Sequence, residues 1–321
     1  MLSTKTILSL RGQKNQVDPL RPYAWLHESE LQASGQLESF ATLFLTNAEC
    51  PLRCLMCDLW KNTLDTIVPA GAIATQIEYG LQQLPPAESI KLYNSGNFFD
   101  SRAIPLGEHP RIAQLVAGYR RVVVENHPRL VGPRCLEFQQ SIEPQLEIAM
   151  GLETIHPEVL PRLNKQMTLQ EFSTAAQFLR SNQIDLRVFV LLQPPGLFDA
   201  QAIEWAVKSV EYAFTQGATC CSIIPVRQGN GALERLAAEG LFREPTLVAI
   251  EQALELSLQL DLGRVFIDLW DAPRFASCAV CSAARIERLQ RINLSQQPLP
   301  HVECQACEST IYPQIDGYYL T

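Results

Sequence analysis

The sequence predicts an α/β fold, a partial, open (β/α)6 TIM-like barrel of parallel strands with a small C-terminal metal-binding segment. Three observations carry this expectation. Short apolar runs alternate with helical periods six or seven times between residues 40 and 272, three cysteines follow the first of those runs, and a four-cysteine pattern takes over after residue 273. Regular strand-helix alternation makes a parallel sheet with helices outside it, and six units fall short of the eight that complete a full barrel. Three regions result: an N-terminal extension (1–39), the barrel (40–272) and the metal-binding segment (273–321).

Each element has its own signal. Residues 40–45 read as a buried strand; residues 70–84 carry Ile73, Ile77 and Leu81 at helical spacing and stop at Pro85 and Pro86, before a short strand at 90–93. Ile112, Leu115 and Val116 mark the next helix, and 122–124 and 146–150 the next strands. Thr168 followed three residues later by Glu171 is a capping-box signature, and Phe172, Ala175, Ala176 and Leu179 then share one helical face. A strand at 186–192, a helix through Ile203, Val207, Val210 and Phe214 stopped by Gly217, a strand at 221–226, a helix at 247–258 and a strand at 265–269 complete the alternation.

Hydrophobic residues make up 47% and charged residues 19% of the 321, the balance of a folded chain. The net charge of −8 argues against a broad, non-specific nucleic-acid surface, which needs many Lys and Arg contacts to phosphate. No apolar run approaches the roughly twenty residues that span a bilayer, and the first sixteen residues lack a signal-peptide core, so a cytoplasmic protein with no membrane partner is expected. In that compartment ten cysteines point to metal binding and core packing rather than disulfides.

Cys50, Cys54 and Cys57 have C-x3-C-x2-C spacing at the C-terminal end of a predicted strand, where parallel α/β folds build active sites. Three thiolates on a 4Fe-4S cluster leave one iron without a protein ligand, and that open corner suits a small molecule such as S-adenosylmethionine (SAM), whose amino and carboxylate groups can chelate it. A redox CxxC or a structural zinc site are the alternatives; no histidine lies nearby on the loop, and a third spaced cysteine is superfluous for a redox pair.

With these residues the sequence resembles the radical SAM superfamily over about residues 40–269. Asn94, Ser95 and Gly96, after the second predicted strand, stand where the superfamily's Gly-Gly-Glu-type turn holds the SAM amino group, although the glutamate is missing. Glu153 resembles the acidic residue that contacts the SAM ribose, and Pro225 and Val226 match the position against adenine. Met56 replaces the aromatic residue common before the third cysteine. Together with the Asn-Ser-Gly turn and the stretch ending in Asn164 and Lys165, it looks most like the branch containing the elongator catalytic subunit and the archaeosine synthase radical SAM subunit. The resemblance implies reductive SAM cleavage, a reductant such as flavodoxin or ferredoxin, and a tRNA or modified-base substrate met with RNA or a partner protein.

Cys278, Cys281, Cys304 and Cys307 form two CxxC knuckles, a signature of zinc, with a second Fe-S cluster as the alternative. Between them Arg285, Arg288 and Arg291 make a helical stripe, the best phosphate-binding candidate in an acidic chain, although a solvated face balanced by Glu287 explains it equally simply. Glu125 and His127 end the third predicted strand and are the catalytic candidates at the barrel mouth, where His127 could handle protons or orient a substrate, with turn capping as the equal alternative. Cys135, Cys220 and Cys221 read as buried structural thiols. Two rivals to a radical enzyme acting on RNA stay open: a non-catalytic Fe-S or zinc sensor, and a radical enzyme acting on a small metabolite.

Overall fold

The computed structural model describes residues 2–307; residues 308–321, the end of the expected metal-binding segment, lie outside the described residues. One sheet runs in strand order β1 to β8: Ala24–Leu31, Leu37–Phe44, Ser89–Tyr93, Arg121–Glu125, Gln145–Glu153, Asp185–Leu192, Cys220–Pro225 and Arg264–Ile267. β2 to β8 are parallel neighbours, and β1 pairs antiparallel with β2 from Ala24↔Phe44 to Leu31↔Leu37. The strands curl into a nearly closed barrel with a seam between β8 and β1. There Arg264 donates to the Leu31 carbonyl at 3.0 Å and to Gln32 Oε1 at 3.2 Å in place of a ladder.

The α/β barrel with parallel strands is therefore as expected, with more strands than six units supply. β1 comes from the segment that reads as an irregular extension. Its inward positions, Glu28 and Glu30, are acidic because they face a charged interior, so the apolar alternation by which a strand is recognised is missing. Gly35, at φ 78°, makes the turn into β2, with Gln32 N–H on the Gln36 carbonyl at 2.8 Å.

Among the described residues ten helices accompany the strands: α1 Thr4–Ser9, α2 Ala72–Gln82, α3 His109–Val116, α4 Pro133–Ser141, α5 Val159–Arg162, α6 Leu169–Ser181, α7 Asp199–Thr215, α8 Ala232–Ala238, α9 Leu247–Gln259 and α10 Ser282–Ser295. The capping box at Thr168 and Glu171 is formed, and Gly217, at φ 97°, follows α7. Ile77, Phe172, Val207 and Leu254 pack with the outward strand residues Leu92, Val124, Ile148 and Val190 into one continuous core. Cys135 and Cys221 are fully buried members of it.

The inward face is different in kind. Arg187 of β6 spans the barrel to Glu30 of β1 with Nη2–Oε2 at 2.7 Å, and donates from Nε to Glu147 of β5 at 2.6 Å. Lys91 of β3 pairs with Glu28 at 2.9 Å and with Glu30; Arg121 of β4 pairs with Glu147 at 3.1 Å and with Asp185. Burial would raise the Glu30 carboxyl, but Arg187 and Lys91 hold it below the usual carboxylate range. These pairs fill the barrel at the starts of the parallel strands. Cys220 points into them, its sulfur 4.0 Å from Glu147, rather than toward the mouth. At the next inward positions of β3 and β6, Tyr93 and Phe189 meet ring to ring at 6.3 Å.

Candidate active site

The loop after β2 carries the first cysteine group and is held from several sides. From α2, Gln76 receives the Thr46 N–H on Oε1 at 2.7 Å and returns Nε2 to the Thr46 carbonyl at 2.8 Å. The Leu55 N–H bonds the Leu163 carbonyl at 2.8 Å, Asn164 Nδ2 bonds the Arg53 carbonyl at 2.7 Å, and Asn230 Nδ2 bonds the Leu55 carbonyl at 2.8 Å. From the N-terminal segment, Arg11 and Lys14 grip Glu49 at 2.7 and 2.8 Å, and Ile7 of α1 packs in one cluster with Leu55 and Val226. Backbone hydrogen bonds closed by other elements fix the loop's shape without regular structure.

Cys50, Cys54 and Cys57 are half-buried free thiols that influence one another electrostatically. Burial pushes the Cys54 thiol up to about 12 despite the Lys165 ammonium, and Cys57 is raised by burial and by its neighbours Cys54 and Asp58. Cys50 accepts from Asn97 Nδ2 at 3.4 Å. Among the described residues only the C-terminal group brings three or more ligating atoms within 4.8 Å of one another. The sulfurs of Cys50, Cys54 and Cys57 therefore do not all lie within 4.8 Å of one another.

The turn after β3 stands beside them. Ser95 adopts φ 53°, its hydroxyl 2.8 Å from Tyr23 Oη, and a Cβ on Gly96 would lie 3.6 Å from Cβ of Cys50. Glu125, at the end of β4, accepts the Asn94 N–H at 2.9 Å and also those of Ser95 and Gly96. Burial nevertheless raises its carboxyl to about 7. Three N–H groups on one carboxylate identify the anchor of this turn, the turn-capping alternative of the sequence reading.

The Asn94 side chain is fully buried, yet neither of its amide atoms has a partner, and Asn47 Oδ1 and Thr46 Oγ1 are buried and unpartnered as well. Each such group costs about 1–3 kcal/mol unless something absent supplies a hydrogen bond. With three thiols beside it, this unsatisfied polar cradle fits an Fe-S cluster carrying a ligand with its own donors and acceptors.

Glu153 closes β5 after a register shift between Gly151 and Glu153 and sits at φ 68°, a left-handed conformation rare outside glycine. Its carboxylate meets the buried Lys165 ammonium, an ion pair the sequence reading did not single out. Pro225 ends β7, and the Val226 N–H bonds the Leu192 carbonyl at 3.1 Å while its side chain joins Leu55 under the cysteine loop. His127 has both ring nitrogens engaged: Nδ1 accepts the Arg129 N–H at 3.2 Å, and Nε2 lies 3.1 Å from the Lys165 carbonyl. Burial lowers its pKa to about 4, so the ring is neutral and its protonated Nε2 donates to that carbonyl. His156 holds a helix start, with Nδ1 accepting from Glu158 and Val159.

The second cysteine group is compact. Cys278 and Cys304 bring their sulfurs within 3.8 Å and Cys281 and Cys307 within 3.7 Å. Four sulfurs about 2.3 Å from one zinc ion would be about 3.8 Å apart. The N–H groups of Cys281 and Val280 turn toward Cys278 and hold its thiol below the ordinary range, and that of Ala306 turns toward Cys304.

The arginine stripe between the knuckles does not face phosphate. Arg285 and Arg288 are only 2% and 4% exposed, and both pair with Glu251 of α9; Arg288 also pairs with Glu255 and donates from Nε to the Pro300 carbonyl at 2.7 Å. Helical spacing did put Arg285 and Arg288 on one face, but that face is buried against acidic residues on α9, which corrects the phosphate-binding expectation for these two, while Arg291 is exposed.

No family model matches the chain. The archaeosine synthase subunit beta of Methanosarcina acetivorans is 26% identical over 249 residues, covering 70% of this chain and 68% of that one. An uncharacterized protein of Methanocaldococcus jannaschii is 22% identical over 312 residues, covering 90% and 85%. The crystal structure of methylornithine synthase (PylB) superposes with a TM-score of 0.53 at 12% identity over 83% of this chain and 75% of that one, a likeness of fold. Among the described residues no helix is long and apolar enough to cross a membrane. In its barrel, cysteine loop and relatives the chain resembles the radical SAM superfamily, closest in pattern to the branch that includes the elongator catalytic subunit and the archaeosine synthase radical SAM subunit.

Proposed function

We propose that the chain is a radical SAM enzyme in which Cys50, Cys54 and Cys57 ligate a 4Fe-4S cluster and SAM takes its open iron. The observation that carries this reading is the three-cysteine loop packed, through Cys50, against the Gly96 turn and the buried, unpartnered Asn94 amide. When bound, these groups supply a 5'-deoxyadenosyl radical that removes a hydrogen atom from the substrate. The chain's own residues bind and orient. Asn94, Ser95 and Gly96 receive the SAM amino-acid end, Glu125 fixes their turn, Glu153 meets the ribose, and Pro225 and Val226 flank adenine. His127 is a positioning residue that holds the Lys165 loop rather than a proton carrier, and the paired charges at the strand starts exclude water from below.

For the substrate we propose a modified base in RNA, met together with a partner subunit. The support is the relative named as a subunit of archaeosine synthase. Because Arg285 and Arg288 are spent internally, RNA affinity is assigned mainly to that partner. A flavodoxin or ferredoxin is the proposed reductant. At the C-terminal cysteines we propose zinc, on the 3.7 and 3.8 Å sulfur pairs.

The test is anaerobic reconstitution followed by reduction with SAM present. 5'-Deoxyadenosine should form, and metal analysis should give about four irons with one zinc per chain rather than about eight irons. Background 5'-deoxyadenosine from protein with a verified 4Fe-4S cluster rejects the enzyme reading in favour of a sensor.

A further inference from the structure

The loop between α5 and α6 is built to deliver one charge. Asn164 and Gln166, on either side of Lys165, both take left-handed conformations at φ 53° and 57°, a region that asparagine visits readily but in which Gln166 is held by restraint. The restraints are present on both sides. Leu163 and Asn164 bond the cysteine loop at Leu55 and Arg53, at 2.8 and 2.7 Å, and the Lys165 carbonyl lies 3.1 Å from His127 Nε2. The Lys165 side chain is 8% exposed and ends at Glu153. A Cβ on Gly151 would come within 2.4 Å of Nζ and 2.3 Å of Glu153 Oε1, so glycine there leaves the pair its space.

We propose that Lys165 is a positioning residue for the electron: a fixed cation, latched to the cysteine loop, that sets the reduction potential of the cluster held by Cys50, Cys54 and Cys57. This rests on the cluster reading above and goes beyond it. In the step concerned, one electron passes from a low-potential one-electron donor, dithionite in the test, to the cluster; no bond forms or breaks and no proton is taken up. The cluster becomes more negative by one charge, and a cation held in a poorly solvated site favours that form. A pairing role for Glu153 alone would not require the loop to be tied to the cysteines.

The test is a potentiometric titration of the reduced-cluster EPR signal, without SAM, on full-length wild type, Lys165→Met and Lys165→Arg matched for iron. Lys165→Met should move the midpoint negative by at least a tenfold change in the reduction equilibrium, ~59 mV for one electron. Lys165→Arg should return it to the wild-type value. Should Lys165→Met leave Glu153 unpaired and fail to load, Glu153→Gln is compared with Glu153→Gln/Lys165→Met, and the double variant should titrate lower. Equal midpoints in iron-replete proteins overturn the role of Lys165 and leave the cluster intact as a reading. A wild type that takes up no 4Fe-4S cluster overturns the cluster reading itself.

Discussion

Cys278, Cys281, Cys304 and Cys307 sit in sulfur pairs 3.7 and 3.8 Å apart, whereas Cys50, Cys54 and Cys57 do not all lie within 4.8 Å of one another, on a loop that other elements hold in place. The supports differ as much as the spacing. The knuckles carry backbone N–H groups turned toward their own sulfurs, and buried arginines fasten the segment to α9. The cysteine loop has its N–H and C=O groups taken by Gln76, Leu163, Asn164 and Asn230, and the buried Asn94 amide beside it has no partner. A compact tetrahedron is a staple. The first group, by contrast, is shaped by elements outside it, as the proposed cluster site would need.

The sharpest way to break this contrast is to delete one ligand from each group. Cys54→Ala should lose iron and all reductive SAM cleavage while keeping zinc; Cys304→Ala should lose zinc, melt at a lower temperature, and keep both iron and SAM cleavage. Metal analysis with a 5'-deoxyadenosine assay reads both, and iron lost from Cys304→Ala would show that the sites are not separate. Next in size, Arg288→Met breaks a buried pair and leaves Glu255 with only the His301 ring and Glu251 with only Arg285, which should cost about 3–5 kcal/mol in denaturant unfolding with the iron content unchanged. A cost under 1 kcal/mol would mean that the fastening to α9 is not a structural one.

The smallest effect tests the turn on the cluster side. The Glu125 carboxyl is raised to about 7 by burial, so the folded protein binds its proton more tightly than the unfolded chain does. Its contribution to stability is then full below the ordinary carboxylate pKa and declines as pH rises toward about 7. Glu125→Gln, which keeps an oxygen for the N–H groups of Asn94, Ser95 and Gly96, should flatten that slope and leave the far-ultraviolet spectrum unchanged. An unaltered slope would place the titration elsewhere.

What the sequence disclosed depended on how local each signal was. Thiol spacing, strand ends and the Thr168–Glu171 cap are written within a few residues and were legible. Glu28 and Glu30 form a strand with acidic residues turned inward, and only Lys91 and Arg187, far along the chain, explain them. Arg285 and Arg288 show the same limit, since their partners Glu251 and Glu255 lie on another helix. Lys165 was visible as part of a resembling stretch, but its pairing with Glu153 depends on two left-handed residues that no local pattern announces.

The salt-bridged floor of the barrel has a consequence for traffic. Arg187, Glu30, Lys91 and Glu147 occupy that end with one another, so under the function proposed above a guest of the barrel would use the opposite end as its doorway. It would then depart by the path it entered, and the innermost guest would leave last. A macromolecule resting across the doorway would detain everything beneath it, and its own release would then pace each round.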